Sequence, residues 1–154
     1  MIKTFQSFCE AEIVRGIAKG LYLTAPKISG ATADIDTDIA AKTTATLNML
    51  KEHDFVLTHF NGADEAAHRY DYHGKAEFIS AIDKEFLEKV INNIQEPLRI
   101  VICGDHVTSS VTGKHNKNAV PVVAAQINTA AIPVTINNYQ DILTFLMRAS
   151  DMRG

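Results

Sequence analysis

Cysteine is scarce: Cys9 lies in the opening segment and Cys103 inside a central apolar stretch. Two thiols so placed give no disulfide framework of the kind that staples small secreted domains, and a reducing compartment is expected. Excess charge of one sign is missing too. Fifteen Lys and Arg against 18 Asp and Glu leave a formal net charge of -3, so no broad basic field invites nucleic acid or anionic lipid, and neither partner is expected. No apolar run approaches the roughly 20 residues that a membrane-spanning helix requires. Met1-Ile2-Lys3-Thr4-Phe5-Gln6 also lacks the apolar region of a signal peptide, and a soluble, cytoplasmic protein is the expectation. No internal repeat or low-complexity tract is visible. What is present is core material, 46% hydrophobic residues over 154 positions. That is enough for one sizeable core and too little for two ordinary domains, so 1–154 is expected to be a single domain.

The periods of the apolar residues alternate between strand and helix. Residues 4–8 suit a short strand, and 10–19 a helix with Ile13, Val14, Ile17 and Ala18 inward and Gly20 as its C-cap. After a short extended piece at 21–28 comes the loop Gly30-Ala-Thr-Ala-Asp-Ile-Asp-Thr-Asp38, whose acidic residues sit near the start of a helix over 37–52. There they serve more naturally as caps than as ligands. Asp54 to Phe60 is β-branched and aromatic, a strand that leads through Asn61-Gly62 into Asp64-Glu-Ala-Ala-His68. A long amphipathic helix is predicted over 73–94, with Phe78, Ile79, Phe86, Val90 and Ile91 on its apolar stripe, before the strand 98–103. Strand, helix, strand favours parallel pairing through a crossover. A polar loop over 108–118, apolar extended pieces at 119–125 and 131–136, and a helix over 139–148 complete the chain. The fold class is α/β, with helices on both faces of a central, mostly parallel sheet.

Ile100-Val-Ile-Cys-Gly-Asp-His106 places an Asp-His pair at the carboxyl end of an apolar strand, the edge at which open α/β sheets keep their ligands. The 64–68 cluster also follows an apolar strand. On a helix, Asp64 and His68 share one face with Cβ atoms about 5–6 Å apart, close enough to grip one ion. Each pair alone has a bland reading, since an aspartate four residues before a histidine is frequently only a surface pair. With His115 added, Asp64, His68 and His115 make a three-ligand site with an open coordination position, and Asp105 with His106 begins a second. His53 and His73 read as capping or solvent contacts, His59 as packing or support for the site, and Lys114 and Lys117 as solvated.

Asp54-Phe-Val-Leu-Thr-His-Phe-Asn-Gly-Ala-Asp-Glu-Ala-Ala-His68, Gly104-Asp-His-Val-Thr108, and His115 followed by Val120-Pro-Val resemble the carboxy-terminal half of archaeal-type cofactor-independent (2,3-bisphosphoglycerate-independent) phosphoglycerate mutases. These are metalloenzymes of the alkaline phosphatase superfamily. Gly16-Ile-Ala-Lys-Gly-Leu, Gly30-Ala-Thr and Asp36-Thr-Asp38 are similar to that family's preceding segments, so the resemblance runs over roughly residues 10 to 125. It implies a partial three-layer α/β/α core of the alkaline-phosphatase type. It implies that Asp64, His68 and His115 hold one divalent ion and that Asp105 and His106 hold the other. An aspartate and a nucleophilic serine would come from an amino-terminal half that nothing here matches. That serine takes the phosphoryl group from one hydroxyl of the glycerate and returns it to the other, interconverting 2- and 3-phosphoglycerate. Catalytic nucleophile and substrate-binding residues are therefore unassigned in this chain. Two loops depart from the family pattern: its usual Asp-His-Ser-Thr-Pro stands as Asp105-His-Val-Thr-Ser109, and Asn118-Ala119 replace an acidic residue and a proline.

The imidazole-rich first site suits Mn2+ or Zn2+ better than Mg2+. Two ions are implied for the complete enzyme and one for this chain. Its partners would be a phosphorylated small molecule and either an amino-terminal partner chain or a second copy covering the open sheet edge. Another phosphoryl transferase or phosphatase of the same superfamily, or a non-catalytic metal-binding interaction module, are the alternatives.

Overall fold

The computed structural model describes residues 5–8, 12–131 and 133–147. The chain divides into two compact units, Met1–Asn93 with Thr108–Lys114, and Ile94–Val107 with His115–Gly154.

The first unit runs β1 (Phe5–Phe8), α1 (Glu12–Gly20), α2 (Ile39–Leu50), β2 (Phe55–Thr58), α3 (Gly62–His68), α4 (Tyr72–Ala81), a π-helical stretch (Ile82–Leu87) and α5 (Glu88–Asn93). β1 and β2 are parallel, Phe5 opposite Phe55 and Phe8 opposite Thr58. The capping expectation for the acidic loop holds at Asp38, whose Oδ1 accepts from the Ala41 amide at 2.8 Å and so opens α2. Asp71 starts α4 in the same way through the Gly74 amide at 2.8 Å. α1 does not end as expected, since Gly20 stays helical and the left-handed residue is Tyr22, φ 59°. The Leu23 amide donates to Ala18 O at 2.8 Å and the Tyr22 amide to Lys19 O at 3.0 Å, the paired bonds of a Schellman ending. α3 closes identically on Tyr70, φ 62°, with the Asp71 amide on Ala66 O at 2.9 Å.

Ala18, Ile39, Ala66, Ala67, Phe78, Phe86 and Val90 are buried, and the Phe60 ring meets Phe78 and Phe86 edge-on with centroids 6.4 and 5.1 Å away. Lys42 is fully buried among them. Its Nζ donates to His59 O at 2.6 Å and lies 4.5 Å above the Phe60 ring, so the charge is held by a carbonyl and an aromatic face. The helix predicted over 73–94 is interrupted by the π-helical stretch. Widening the turn gives a carbonyl to a neighbour: Glu85 O accepts from the Thr43 hydroxyl of α2 at 2.8 Å.

The second unit contains β3 (Leu98–Cys103), β6 (Val122–Ile127) and α6 (Tyr139–Leu146). Two short strands, β4 (Val107–Ser109) and β5 (Lys114–Asn116), flank the turn at which the chain leaves this unit and returns. β3 and β6 are antiparallel, Leu98 opposite Ile127 and Cys103 opposite Val122. Asn138 and Asp141 form a reciprocal capping box at the start of α6. At its other end buried Arg99 donates to Phe145 O at 3.2 Å. Residues 131 and 133–136, expected to be extended, carry no regular structure.

The α/β class stands, but the sheet differs from the expectation. Among the described residues the hydrogen-bonded strands form three two-stranded pairs, and β3 pairs antiparallel with β6 instead of joining a mostly parallel sheet. No helix lies between β3 and β6, and a parallel return needs a long crossover, usually helical. Ile17, Ile79 and Ile91, expected inside, are exposed, because the described residues set no element against those faces.

Candidate metal centre

The first Asp-His pair stands on α3, and the loop before α2 buttresses that helix. A Cβ at Gly62 would lie 2.7 Å from Ile35 N and 2.8 Å from Asp34 C, so backbone passes where any other residue would put its side chain. Asn61 Nδ2 donates to Ala33 O at 3.1 Å, and the Arg69 guanidinium grips Asp34 with two bonds of 2.7 and 2.6 Å. Those bonds hold the Asp34 carboxyl below its usual pKa, with the Ile35 amide adding to the effect.

His68 Nδ1 lies 2.8 Å from Gly113 O. A carbonyl only accepts, so the proton of this bond is on Nδ1, and in the neutral ring Nε2 carries a lone pair. Nε2 is 3.4 Å from Asp64 Oδ2. At that separation the two atoms stand close enough to share one cation. The other oxygen, Asp64 Oδ1, accepts from the Thr108 hydroxyl, and Thr108 is buried. Lys75 Nζ of α4 donates to Thr108 O at 2.8 Å. Gly113 adopts φ +63°, and a Cβ there would come within 3.0 Å of the Tyr70 ring and 3.2 Å of His68 O, which reserves this position for glycine. Ser109 folds the turn: its hydroxyl accepts from the Val111 and Thr112 amides at 3.2 and 3.3 Å.

In the second unit Asp105, His106 and His115 come together. The His106 and His115 rings stack with centroids 3.9 Å apart, and His106 Nε2 lies 3.6 Å from Asp105 Oδ2. The Asp105 side chain is 70% exposed against 23% for Asp64. Asp105 Oδ1 accepts from the amide of its own neighbour His106 at 3.0 Å. The turn beneath is held by the Tyr139 hydroxyl, 3.1 Å from Gly104 O and 2.9 Å from Asp105 O. Cys103 ends β3 and is exposed, not enclosed in a strand interior. Partial desolvation, with Asp105 adding, holds its thiol above its ordinary pKa.

Sequence reasoning found the aspartates and histidines and missed what holds them. Thr108 was visible only inside a motif, and Lys75, Gly113 and Tyr139 carry no local signal, because each acts on residues distant in the chain. The donors, carboxylate oxygens and imidazole nitrogens, are of the kinds that divalent metal ions take. A family model described as the Metalloenzyme superfamily matches residues 1–142, and the chain belongs to that family. It is similar to the 2,3-bisphosphoglycerate-independent phosphoglycerate mutase of Methanopyrus kandleri, 34% identical over 126 residues, 80% of this chain and 30% of the mutase. With the same enzyme of Methanococcus aeolicus it is 38% identical over 112 residues, 72% of this chain and 27% of the mutase. A solved protein from Pyrococcus horikoshii, 29% identical, matches 79% of this chain and 37% of its own with a TM-score of 0.74. The chain thus spans less than a third of the length of these mutases. Among the described residues no helix is long and apolar enough to cross a membrane.

Proposed function

We propose that this chain is the carboxy-terminal, metal-holding portion of a phosphoglycerate mutase that interconverts 2- and 3-phosphoglycerate through a serine contributed by an amino-terminal half. The observation that carries this reading is the identity of 34–38% to such mutases over 72–80% of the chain, in a segment that includes both Asp-His pairs. By the resemblance to those mutases, Asp64, His68 and His115 would hold one divalent ion, Mn2+ or Zn2+ in preference to Mg2+ because two of the donors are imidazoles. Asp105 and His106 contribute to a second ion that the amino-terminal half completes, so the chain alone holds one ion firmly. A bound divalent ion supplies charge neutralisation at phosphoryl oxygens and Lewis acidity. The chain's own part is to present Asp64 Oδ2 and His68 Nε2 side by side and to keep Asp105 and His106 at the end of β3. The full architecture around them is a three-layer α/β/α core of alkaline-phosphatase type, acting in the cytoplasm on a phosphorylated small molecule. Ile102 and Val123, paired across β3 and β6 and both exposed, support an apolar strand face covered by that half or, without it, by a second copy.

Complementing the chain with the amino-terminal half of a related archaeal mutase tests the proposal. Interconversion of the two phosphoglycerates is expected. Hydrolysis of simple phosphate esters without interconversion would instead favour a phosphatase of the same superfamily, a reading that the breadth of the family match leaves room for. Metal binding without any turnover would make the chain a binding module.

A further inference from the structure

A carboxylate can bind an ion through one oxygen or both, and an imidazole through either nitrogen. In the first unit both choices are made by groups outside the ligands. Asp64 Oδ1 accepts from the Thr108 hydroxyl and His68 Nδ1 lies 2.8 Å from Gly113 O, while Asp64 Oδ2 and His68 Nε2 face each other 3.4 Å apart. Thr108 is only 4% exposed, which keeps water from replacing its hydroxyl. Its main chain is pinned in turn by Lys75 from α4, 2.8 Å from the Thr108 carbonyl.

We propose that Thr108 is a positioning residue for the metal centre: it commits one Asp64 oxygen and thereby makes Asp64 a single-oxygen ligand beside His68 Nε2, while Lys75 holds Thr108 in place. The inference rests on the metal-centre reading above. Groups that orient ligands from behind typically change metal affinity 10–100-fold. Valine has nearly the shape of threonine but no hydroxyl, and serine keeps the hydroxyl.

The test is calorimetric titration of the folded protein with Zn2+ alone and Mn2+ alone, for wild type, Thr108→Val, Thr108→Ser and Lys75→Met, alongside metal-free melts. Thr108→Val is expected to weaken Zn2+ binding about 10–100-fold, and Thr108→Ser to stay within a few-fold of wild type. Lys75→Met should shift in the same direction by less. Because the titration is made on folded protein, a stability loss appears in the metal-free melt and leaves affinity unmoved. If Thr108→Val binds as tightly as wild type, or Thr108→Ser as weakly as Thr108→Val, the inference is overturned. If Thr108→Val does not fold, unchanged affinity in Lys75→Met overturns it equally. Failure of wild type to bind either ion would instead remove the metal-centre reading itself.

Discussion

The two Asp-His pairs are built from the same residue types and held in different ways. Asp64 and His68 sit one helical turn apart, and each has one polar atom tied to a distant segment, Thr108 for the carboxylate and Gly113 for the ring. Asp105 and His106 are neighbours on a turn. The Asp105 carboxylate accepts from an adjacent amide, its side chain is mostly exposed, and the main chain beneath is pinned by Tyr139. The first pair is therefore organised before an ion arrives. The second is oriented locally and depends on further groups to enclose an ion, which is the physical basis for expecting the Asp64 side to fill first.

The largest effect expected is on the scaffold of the first pair. Gly62→Ala forces a methyl into the backbone at Ile35 and Asp34, and overpacking against main chain should cost about 3 kcal/mol. A lowered melting temperature together with lost metal affinity would be the signature; an unshifted melt would show that the 33–35 loop is free to move away. Next comes the ligand itself. His68→Ala should weaken Mn2+ or Zn2+ binding by more than the roughly 100-fold upper range of outer-group changes and abolish the rise in melting temperature on adding metal. Asp105→Ala should leave binding of the first ion within a few-fold. Equal losses from the two variants in a titration would erase the distinction between the pairs.

A smaller effect is expected from Tyr139→Phe. It removes the hydroxyl that bonds Gly104 O and Asp105 O, which should cost about 1 kcal/mol. Amide exchange should quicken at Asp105 and His106, and unchanged exchange there would mean that the turn holds itself. Smallest is the acid response of the Asp34–Arg69 pair, since both side chains are substantially exposed and water screens them. The folded-state pKa of Asp34 is depressed. Its contribution is thus present above the carboxyl's unfolded value near ~3.9 and lost as pH falls through the lower folded value. Asp34→Asn should flatten the acid limb of the stability profile slightly, and an identical limb in both proteins would remove this pair from the account.

How much could be read in advance follows the range of each interaction. The i, i+4 spacing of Asp64 and His68 placed both on one face of α3, and the apolar run before Asp105 located β3 correctly. The expected C-cap at Gly20 failed because a Schellman ending requires only one left-handed residue after the last turn, and here tyrosine accepts that role twice, at Tyr22 and Tyr70. The predicted helix over 73–94 contained an interruption that no periodicity marks, since its visible partner is Thr43 on another helix.

Composition and spacing were enough for the α/β class and for setting Asp64 and His68 on one face of a helix, because those depend on residue type and on neighbours within a turn or a strand. Which oxygen of Asp64 and which nitrogen of His68 are presented, and why position 113 must be glycine, were decided only by tertiary structure. The groups bonded to those atoms lie 44 and 45 residues along the chain from Asp64 and His68, a separation that local pattern does not encode and that folding alone closes.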